Sequence, residues 1–447
     1  MTEGLTILGV SIDNVTMAET LEKIAEFVRE GSFHQIATAN VDFLVHAIDN
    51  PPYREVLNRC DLVVADGMPV VMAARLLGTP LRERVTGSDL IPLLAKTGYR
   101  IFLLGAKPEV SQMAANRLEE LGGNVVGRVS PVAGPIENFD DEGILAELEA
   151  TKPDILLVAL GSPKQEMWLH RNRNRLKVPV CIGIGGGLDF LAGTLSRAPI
   201  WMRESGLEWV YRIYAEPRRL ARRYLKGAVW MARYFPVQLA NNMLRRRVGG
   251  AFLVRTESIG SVSILTASGM MTGKRLEQLE EAEIAVARKG GPLVVDLTAV
   301  SYLGADGLRS LTGLLRSAYN SGRELFLTGA TPALSRTLRA ARCEGLFHEV
   351  PMVLDAVRLA SRGRLQLNLE LGEGWAVCRI GGEIPEGARS TLEGICRQVI
   401  EKSEFFEFKG DGVPEFDTSG LVESAKSTCR LVIADRPGRP IAEVVVT

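Results

Sequence analysis

In the first half of the chain, polar side chains stand directly after short apolar runs, where a fixed backbone could hold them for chemistry. Thr38 and Asn40 follow the run 33–37, and Asp66 follows 62–65. Gln165 and Glu166 follow 155–160, and Asp189 follows 178–184. A carboxylate that reaches an acceptor hydroxyl can act as its general base. Asp66 is the first candidate, because an apolar strand before it would hold it firmly. Its other reading is an Asp-Gly turn residue or a helix cap. Asp189 could bond a base or ribose, or merely cap a helix at Phe190. Arg84 and Arg197 could supply charge to a phosphate, or lie on the surface as single arginines commonly do.

The elements that must position these groups are short strands. Runs 155–160 and 178–184 are apolar, rich in β-branched residues and closed by glycine, as buried strands of a parallel sheet are. Gly161-Ser162-Pro163 precedes a helix expected near Lys164, and the glycines 183–187 precede one near Leu188. Such turns are expected to leave backbone amides open. In an open α/β sheet, ligands sit beyond the carboxyl ends of the strands, and helix N-termini there suit phosphate. The turns therefore read as the floor of a site for a nucleotide diphosphate, or as ordinary turns with glycines for close packing. A dinucleotide fingerprint fails, since Phe190 stands where the third glycine belongs. No D-x-D pair follows a strand and His34, His46, His170 and His348 do not cluster, so no metal is expected. Glycine turns, helix N-termini and arginines would stabilise a leaving diphosphate instead.

Around these runs the chain alternates strand and helix. Strands are expected at 5–10, 33–37, 62–65, 100–105 and 124–129, with a capping box at Thr16-Met17-Ala18-Glu19. Helices are expected at 43–48 (stopping at Asn50-Pro51-Pro52), 70–77, 90–95 and 109–121. This rhythm predicts a Rossmann-like, doubly wound α/β domain over residues 1–200. The 447 residues exceed one domain, and 53 Lys/Arg against 53 Asp/Glu argue against a nucleic-acid partner. The six cysteines show no C-x-x-C spacing, so reduced thiols are expected. No signal-peptide core and no spanning segment of roughly 18 apolar residues is evident, so a cytoplasmic location is expected.

Residues 201–247 read as a basic helical appendage. Leu220, Tyr224, Ala228, Met231 and Phe235 fall on one side, with Arg219, Arg222, Lys226 and Arg233 opposite. Such a helix could lie in an anionic membrane surface, or pack on its own domain with a solvated basic face. After a linker at 245–250, a weak repeat predicts two small β/α modules at 251–350 and 363–447.

Taken in order, Thr38-Ala39-Asn40, Ala65-Asp66-Gly67, Gly161-Ser162-Pro163-Lys164-Gln165-Glu166, residues 183–193 with Asp189-Phe190, Arg197-Ala198-Pro199 and Gly206-Leu207-Glu208-Trp209 form a series. It resembles the WecG/TagA/CpsF glycosyltransferases over about residues 5–240. The resemblance implies a GT-E-like fold and an inverting transferase needing neither metal nor cofactor. It would move an N-acetylmannosamine-type sugar, or its uronic acid, from UDP to an undecaprenyl-diphosphate-linked acceptor. The setting would be cell-surface polysaccharide synthesis at the cytoplasmic membrane face. By the same resemblance Asp66 is the base and Thr38 its active-site neighbour. Asn40, Arg84, Gly161, Gln165, Gly185, Gly186 and Asp189 surround the nucleotide sugar. Arg212, Arg219 and Arg222 match appendage arginines brought to the site, with Arg218 and Arg223 competing for the assignment.

The two C-terminal modules resemble STAS domains. Asp417-Thr418-Ser419-Gly420-Leu421 matches the loop whose serine a partner kinase phosphorylates, making Ser419 a candidate phosphosite for a kinase or anti-sigma-like partner. In the first copy Asp306 takes that position, and one charge only partly imitates a phosphate. A structural, dimerising module giving a homo-oligomer is the other reading. For the whole chain, a regulator that senses nucleotide sugars without turnover is the competing function. The sequence leaves the sugar unnamed.

Overall fold

The protein is described from a computed structural model covering residues 3–360, apart from 133, 200, 203–207, 216, 246–250 and 260. Beyond 360 it covers the strand residues 365–372, 375–382, 405–411, 430–436 and 439–445. Two units separate. The first gathers residues 1–248 with 303–316 and 336–346, and the second gathers 249–302, 317–335 and 347–447.

The run 5–10, expected as one strand, is a hairpin. β1 (Gly4–Ile7) pairs antiparallel with β2 (Val10–Asp13) through a turn in which Leu8 (φ 46°) and Gly9 (φ 85°) are both left-handed. A leucine rarely takes that conformation, so the apolar run concealed the turn. The capping box forms: Thr16 accepts from the Glu19 amide and opens α1 (Met17–Glu30).

β3 (His34–Ala39), β4 (Leu62–Ala65), β5 (Arg100–Gly105), β6 (Asn124–Val129), β7 (Ile155–Ala159) and β8 (Val180–Gly183) build one sheet. Their order is β4-β3-β8-β7-β5-β6, and every pair is parallel. Successive residues of β5 face opposite layers, Ile101 and Leu103 to one side and Phe102 and Leu104 to the other, all four buried. Both faces are thus covered, as the expected Rossmann-like architecture requires. The chain leaves β3 outward to β4 but enters β8 from β7, so a crevice opens at the carboxyl ends of β3 and β8.

α2 (Val41–Asp49) is followed at once by α3 (Pro51–Arg59). Pro51-Pro52 ends the first as expected, but also starts the second. A proline in the first helical turn sacrifices no hydrogen bond, and the Asn50 side chain caps the new helix. Further helices described in this part of the chain are α4 (Met68–Leu76), α5 (Gly87–Leu94), α6 (Pro108–Glu120), α7 (Asp141–Thr151), α8 (Lys164–Asn172), α9 (Gly187–Leu191), α10 (Glu208–Ala215) and α11 (Pro217–Arg245). Pro236 lies inside α11 without ending it.

The apolar and basic sides expected for α11 are only partly realised. Leu220 and Phe235 are buried, but Ala228 is exposed. Lys226, expected on a solvated face, pairs with Asp49 of α2 at 2.9 Å. Gly227 lets α11 approach α2 closely, since a Cβ there would lie 3.1 Å from Val41 Cγ1.

Asp13 is fully buried and ion-paired with Arg309 and with Arg316 (3.2 Å), both from the 303–316 segment of the same unit. Its Oδ2 also accepts from the Val63 amide of β4 at 2.7 Å. Burial alone would raise this carboxyl; the two guanidiniums and the amide overcome it and hold it well below the usual carboxylate range.

The second unit contains a sheet ordered β13 (His348–Val350), β12 (Leu325–Thr328), β11 (Leu293–Leu303), β10 (Val262–Met271), β9 (Leu253–Ile259). β11 and β12 are parallel, as are β12 and β13. Helix Ala305–Asn320 begins one residue before Asp306. Strands Phe405–Asp411 and Arg430–Arg436 lie within the residues expected for the second module. Its turn and Ser419 lie outside the described residues. Among the described residues no helix is long and apolar enough to cross a membrane.

Candidate active site

β4 delivers Asp66 to the carboxyl edge of the sheet, where its amide donates to the Ala39 carbonyl of β3 at 2.8 Å. The Val85 amide returns to Ala65 at 3.0 Å, so the segment leading into α5 is laced to the same strand end. Asp66 Oδ2 faces the Gly87 amide at 3.4 Å. Gly87 in turn packs on Ile184, just after β8, where an added Cβ would make ordinary contact at 3.5 Å. Asp66 and the glycine turn 183–187 therefore share one edge of the sheet.

A cleft opens beside Asp66, lined also by Asn40, Asp42, Arg84, Glu208, Arg223 and Tyr224. Asn40 has a second duty, accepting the Asp42 amide at 2.9 Å as the cap of α2. Arg84 pairs with Glu208 at 3.0 Å, and Arg223 pairs with Asp42. Both guanidiniums thus already hold carboxylates. Arg197, the other phosphate candidate, holds Asp89 (2.7 Å) and Ser88 (2.9 Å) of α5.

Behind the cleft lies a buried polar network. Thr38 Oγ1 donates to the Gly183 carbonyl at 2.8 Å, spanning the β3–β8 crevice. Gln165, fully buried, accepts from the Gly185 amide at 3.1 Å and donates to Glu166 at 2.6 Å. Tyr53 Oη donates to the other Glu166 oxygen at 3.1 Å and lies 2.7 Å from Ser162 Oγ. Gly183 is glycine because a Cβ would lie 2.6 Å from Gln165 Nε2 and 2.7 Å from Glu166 Oε1. Burial pushes the Glu166 carboxyl up to about 7, against the bonds from Gln165 and Tyr53.

The structure thus brings Asn40, Asp66 and Arg84 into one cleft, whereas Thr38, Gln165 and Gly185 belong to the polar network and do not line it. Gly161 (φ 76°) forms the turn into α8. Gly186 is exposed, and Asp189 is half-buried in the first turn of α9. The glycine turn spends amides expected to be open: Gly185 donates to Gln165, and Gly187 donates to Ile184 at 2.9 Å. Arg212 and Arg219 lie on α10 and α11, with side chains outside the described residues. Arg222 is exposed and does not line the cleft, whereas its neighbour Arg223 does.

Asp42, Tyr53 and Glu208 were not singled out from the sequence, and Tyr224 was read only as part of the apolar side of the basic helix. Glu208 lay within a quoted motif, but its ion pair with Arg84 spans 124 positions and has no local signature. Among the described residues no group of three or more His, Cys, Asp or Glu side chains is arranged to hold a metal ion.

The family model described as the glycosyl transferase WecG/TagA/CpsF family matches residues 5–247. A second model, described as Mlab, STAS domain, matches 254–354. Proteins from two strains of Staphylococcus aureus are 34% identical over 227 residues, which is 49% of this chain and 88% of theirs. Both are named N-acetylglucosaminyldiphosphoundecaprenol N-acetyl-beta-D-mannosaminyltransferase. Two solved variants of a protein titled SsGBP align at 12% and 11% identity with TM-scores of 0.17 and 0.18, a likeness that carries no argument. They cover 59% of this chain and 96% and 94% of their own. On a family match that spans more than half of its length, the chain belongs to the WecG/TagA/CpsF glycosyltransferases, with a STAS domain following the transferase domain.

Proposed function

We propose that the chain transfers an N-acetylmannosamine-type sugar from UDP to an undecaprenyl-diphosphate-linked acceptor, with inversion and without a metal. The observation that carries this reading is the position of Asp66, on a rigid strand end in a cleft that also holds Arg84 and Arg223. Asp66 deprotonates the acceptor hydroxyl as it attacks the anomeric carbon from the face opposite UDP. The bond to the sugar forms as the bond to the diphosphate breaks, and the proton passes to the carboxylate. Arg84 and Arg223 release their carboxylate partners to take up the charge on the departing diphosphate. The donor sugars and acceptors named for the relatives support the substrate class.

The acceptor is a lipid, and α11 supports a peripheral, inner-face membrane contact. Leu225 (66% exposed), Val229 and Met243 are exposed apolar side chains on a helix that also exposes Arg222 and Arg233. The test is release of UDP from UDP-N-acetylmannosamine with a lipid-linked N-acetylglucosamine acceptor, in the presence of a chelator. Asp66→Asn is expected to keep donor binding and lose turnover by at least about a hundredfold. Unchanged turnover removes Asp66 from the role. Donor binding without UDP release from the wild type favours a sensing regulator, and loss of turnover to the chelator overturns metal independence.

A further inference from the structure

The reaction as proposed makes no use of Glu166, a carboxylic acid only 1% exposed. Its side-chain hydrogen-bond partners are neutral, and the charged Asp61, Arg173 and Arg316 act on Cys60 beside it. α3 contributes the Tyr53 hydroxyl and, just past its end, the buried Cys60 thiol, which burial and Glu166 itself push up. β3 contributes the Gln35 side-chain amide, which donates to the Glu166 carbonyl at 3.1 Å. α8 contributes Gln165, and β8 contributes Gly183, whose missing side chain makes room for the carboxyl. From α2, the His46 ring meets the Tyr53 ring edge-on at 6.2 Å, and burial lowers its basicity. Among the described residues no lysine, arginine or histidine is ion-paired to Glu166.

Beyond Tyr53 the chain of hydroxyls reaches Ser162, half-buried in the turn between β7 and α8. Each hydroxyl has one proton to give, so the direction of one bond fixes the next. With Glu166 ionised, it can only accept. Tyr53 then donates to it, and Ser162 donates inward to Tyr53. With Glu166 protonated, its O–H can donate to Tyr53, Tyr53 donates to Ser162, and the Ser162 proton is released for another acceptor.

We infer that Ser162 is a donor to the diphosphate of the nucleotide sugar, and that Glu166 is a positioning residue which sets its direction through Tyr53. The inference rests on the transferase reading, with Gly161 of the same turn among the residues expected around the nucleotide sugar. Protonation of Glu166 turns the Ser162 hydroxyl outward to the anion, and ionisation turns it inward. Tyr53 stays protonated throughout, since burial and the neighbouring carboxylate hold its phenol well above the usual range.

The experiment uses the full chain and UDP-N-acetylmannosamine without acceptor, whose esterified diphosphate does not titrate near neutrality. Calorimetry at about pH 6 and about pH 8 is expected to show wild type binding about three- to tenfold more tightly at the lower pH, the worth of one hydrogen bond. Glu166→Gln, whose amide donates permanently to Tyr53, is expected to bind at both pH values as wild type does at the lower. Ser162→Ala is expected to bind at both as wild type does at the higher, whereas Tyr53→Phe, which removes the inward acceptor and leaves the His46 contact in place, is expected to bind at both as wild type does at the lower. In parallel, the infrared band of a neutral carboxylic acid is expected in the unliganded wild type at the lower pH and absent from Glu166→Gln. Equal wild-type affinity at the two pH values, or an undiminished pH dependence in Ser162→Ala, overturns the switch and leaves the transferase reading standing. A chain that binds no donor at either pH overturns both.

Discussion

Glu166 also ties stability to pH, independently of any ligand. Its carboxyl is raised to about 7 in the fold, against 4.5 for the ordinary group. Between those values the native state holds a proton that the unfolded chain has lost, so stability must fall as pH rises through this window. The span corresponds to roughly 3 kcal/mol. Chemical denaturation of Glu166→Gln is expected to show a flatter profile over that window than wild type. The two carboxylates divide the labour by environment. Asp66 is partly open to solvent and faces the cleft, whereas Glu166 is sealed among neutral hydroxyls and amides. The sequence singled out Asp66 because a strand-end carboxylate is a local pattern. It placed Glu166 at a strand end and in a motif but gave it no role of its own, since its environment is assembled from β3, α3, α8 and β8.

Among the elements, β4 bears the most consequence, because it carries Asp66. Its Val63 amide is held by Asp13, and Asp13 by Arg309 and Arg316. Removing the carboxylate strands two buried guanidiniums, so Asp13→Asn is expected to destabilise by about 3–5 kcal/mol. Arg309→Ala leaves Asp13 paired with Arg316 and is expected to cost less, as read by denaturant midpoints. The folded carboxyl titrates below its unfolded value. Its contribution is therefore complete above the unfolded value and lost as pH falls toward the folded one. Most strands and helices were legible in advance, since apolar runs and glycine punctuation are local signals. The hairpin through Leu8 and Gly9 was not, because nothing in an apolar run marks a leucine at positive φ. The start of α3 was missed for a different reason: Pro51-Pro52 is as good a beginning as an end.

At the scale of the whole molecule, the question is where a chain without a described spanning helix meets a lipid-borne acceptor. The exposed Leu225 and Val229 of α11 are one turn apart, beside basic residues, as an interfacial helix requires. Leu225→Glu with Val229→Glu is expected to reduce flotation of the full chain with anionic phospholipid vesicles by about tenfold or more. Turnover on a lipid-linked acceptor should fall with it, while turnover on a short-chain, water-soluble acceptor stays near wild type. Equal losses on both acceptors would place these residues in folding rather than in membrane contact. A STAS domain follows the transferase domain; the separate proposal that Ser419 in the second module is phosphorylated by a partner kinase is tested by mass spectrometry of protein from the native host.

The sequence alone determined the alternation of strands and helices, the parallel sheet, and the family series that runs from Thr38 to Trp209. These are carried by residues close together in the chain, where hydrophobic period and turn chemistry act directly. Tertiary structure alone decided that Arg84 answers to Glu208 and Arg223 to Asp42, and that glycine amides read as open are spent on Gln165 and Ile184. It likewise joined Tyr53, Ser162 and Glu166 into one chain of hydroxyls. Charge pairing and proton direction depend on distances through space, and a linear pattern does not encode which distant side chain will satisfy a buried group.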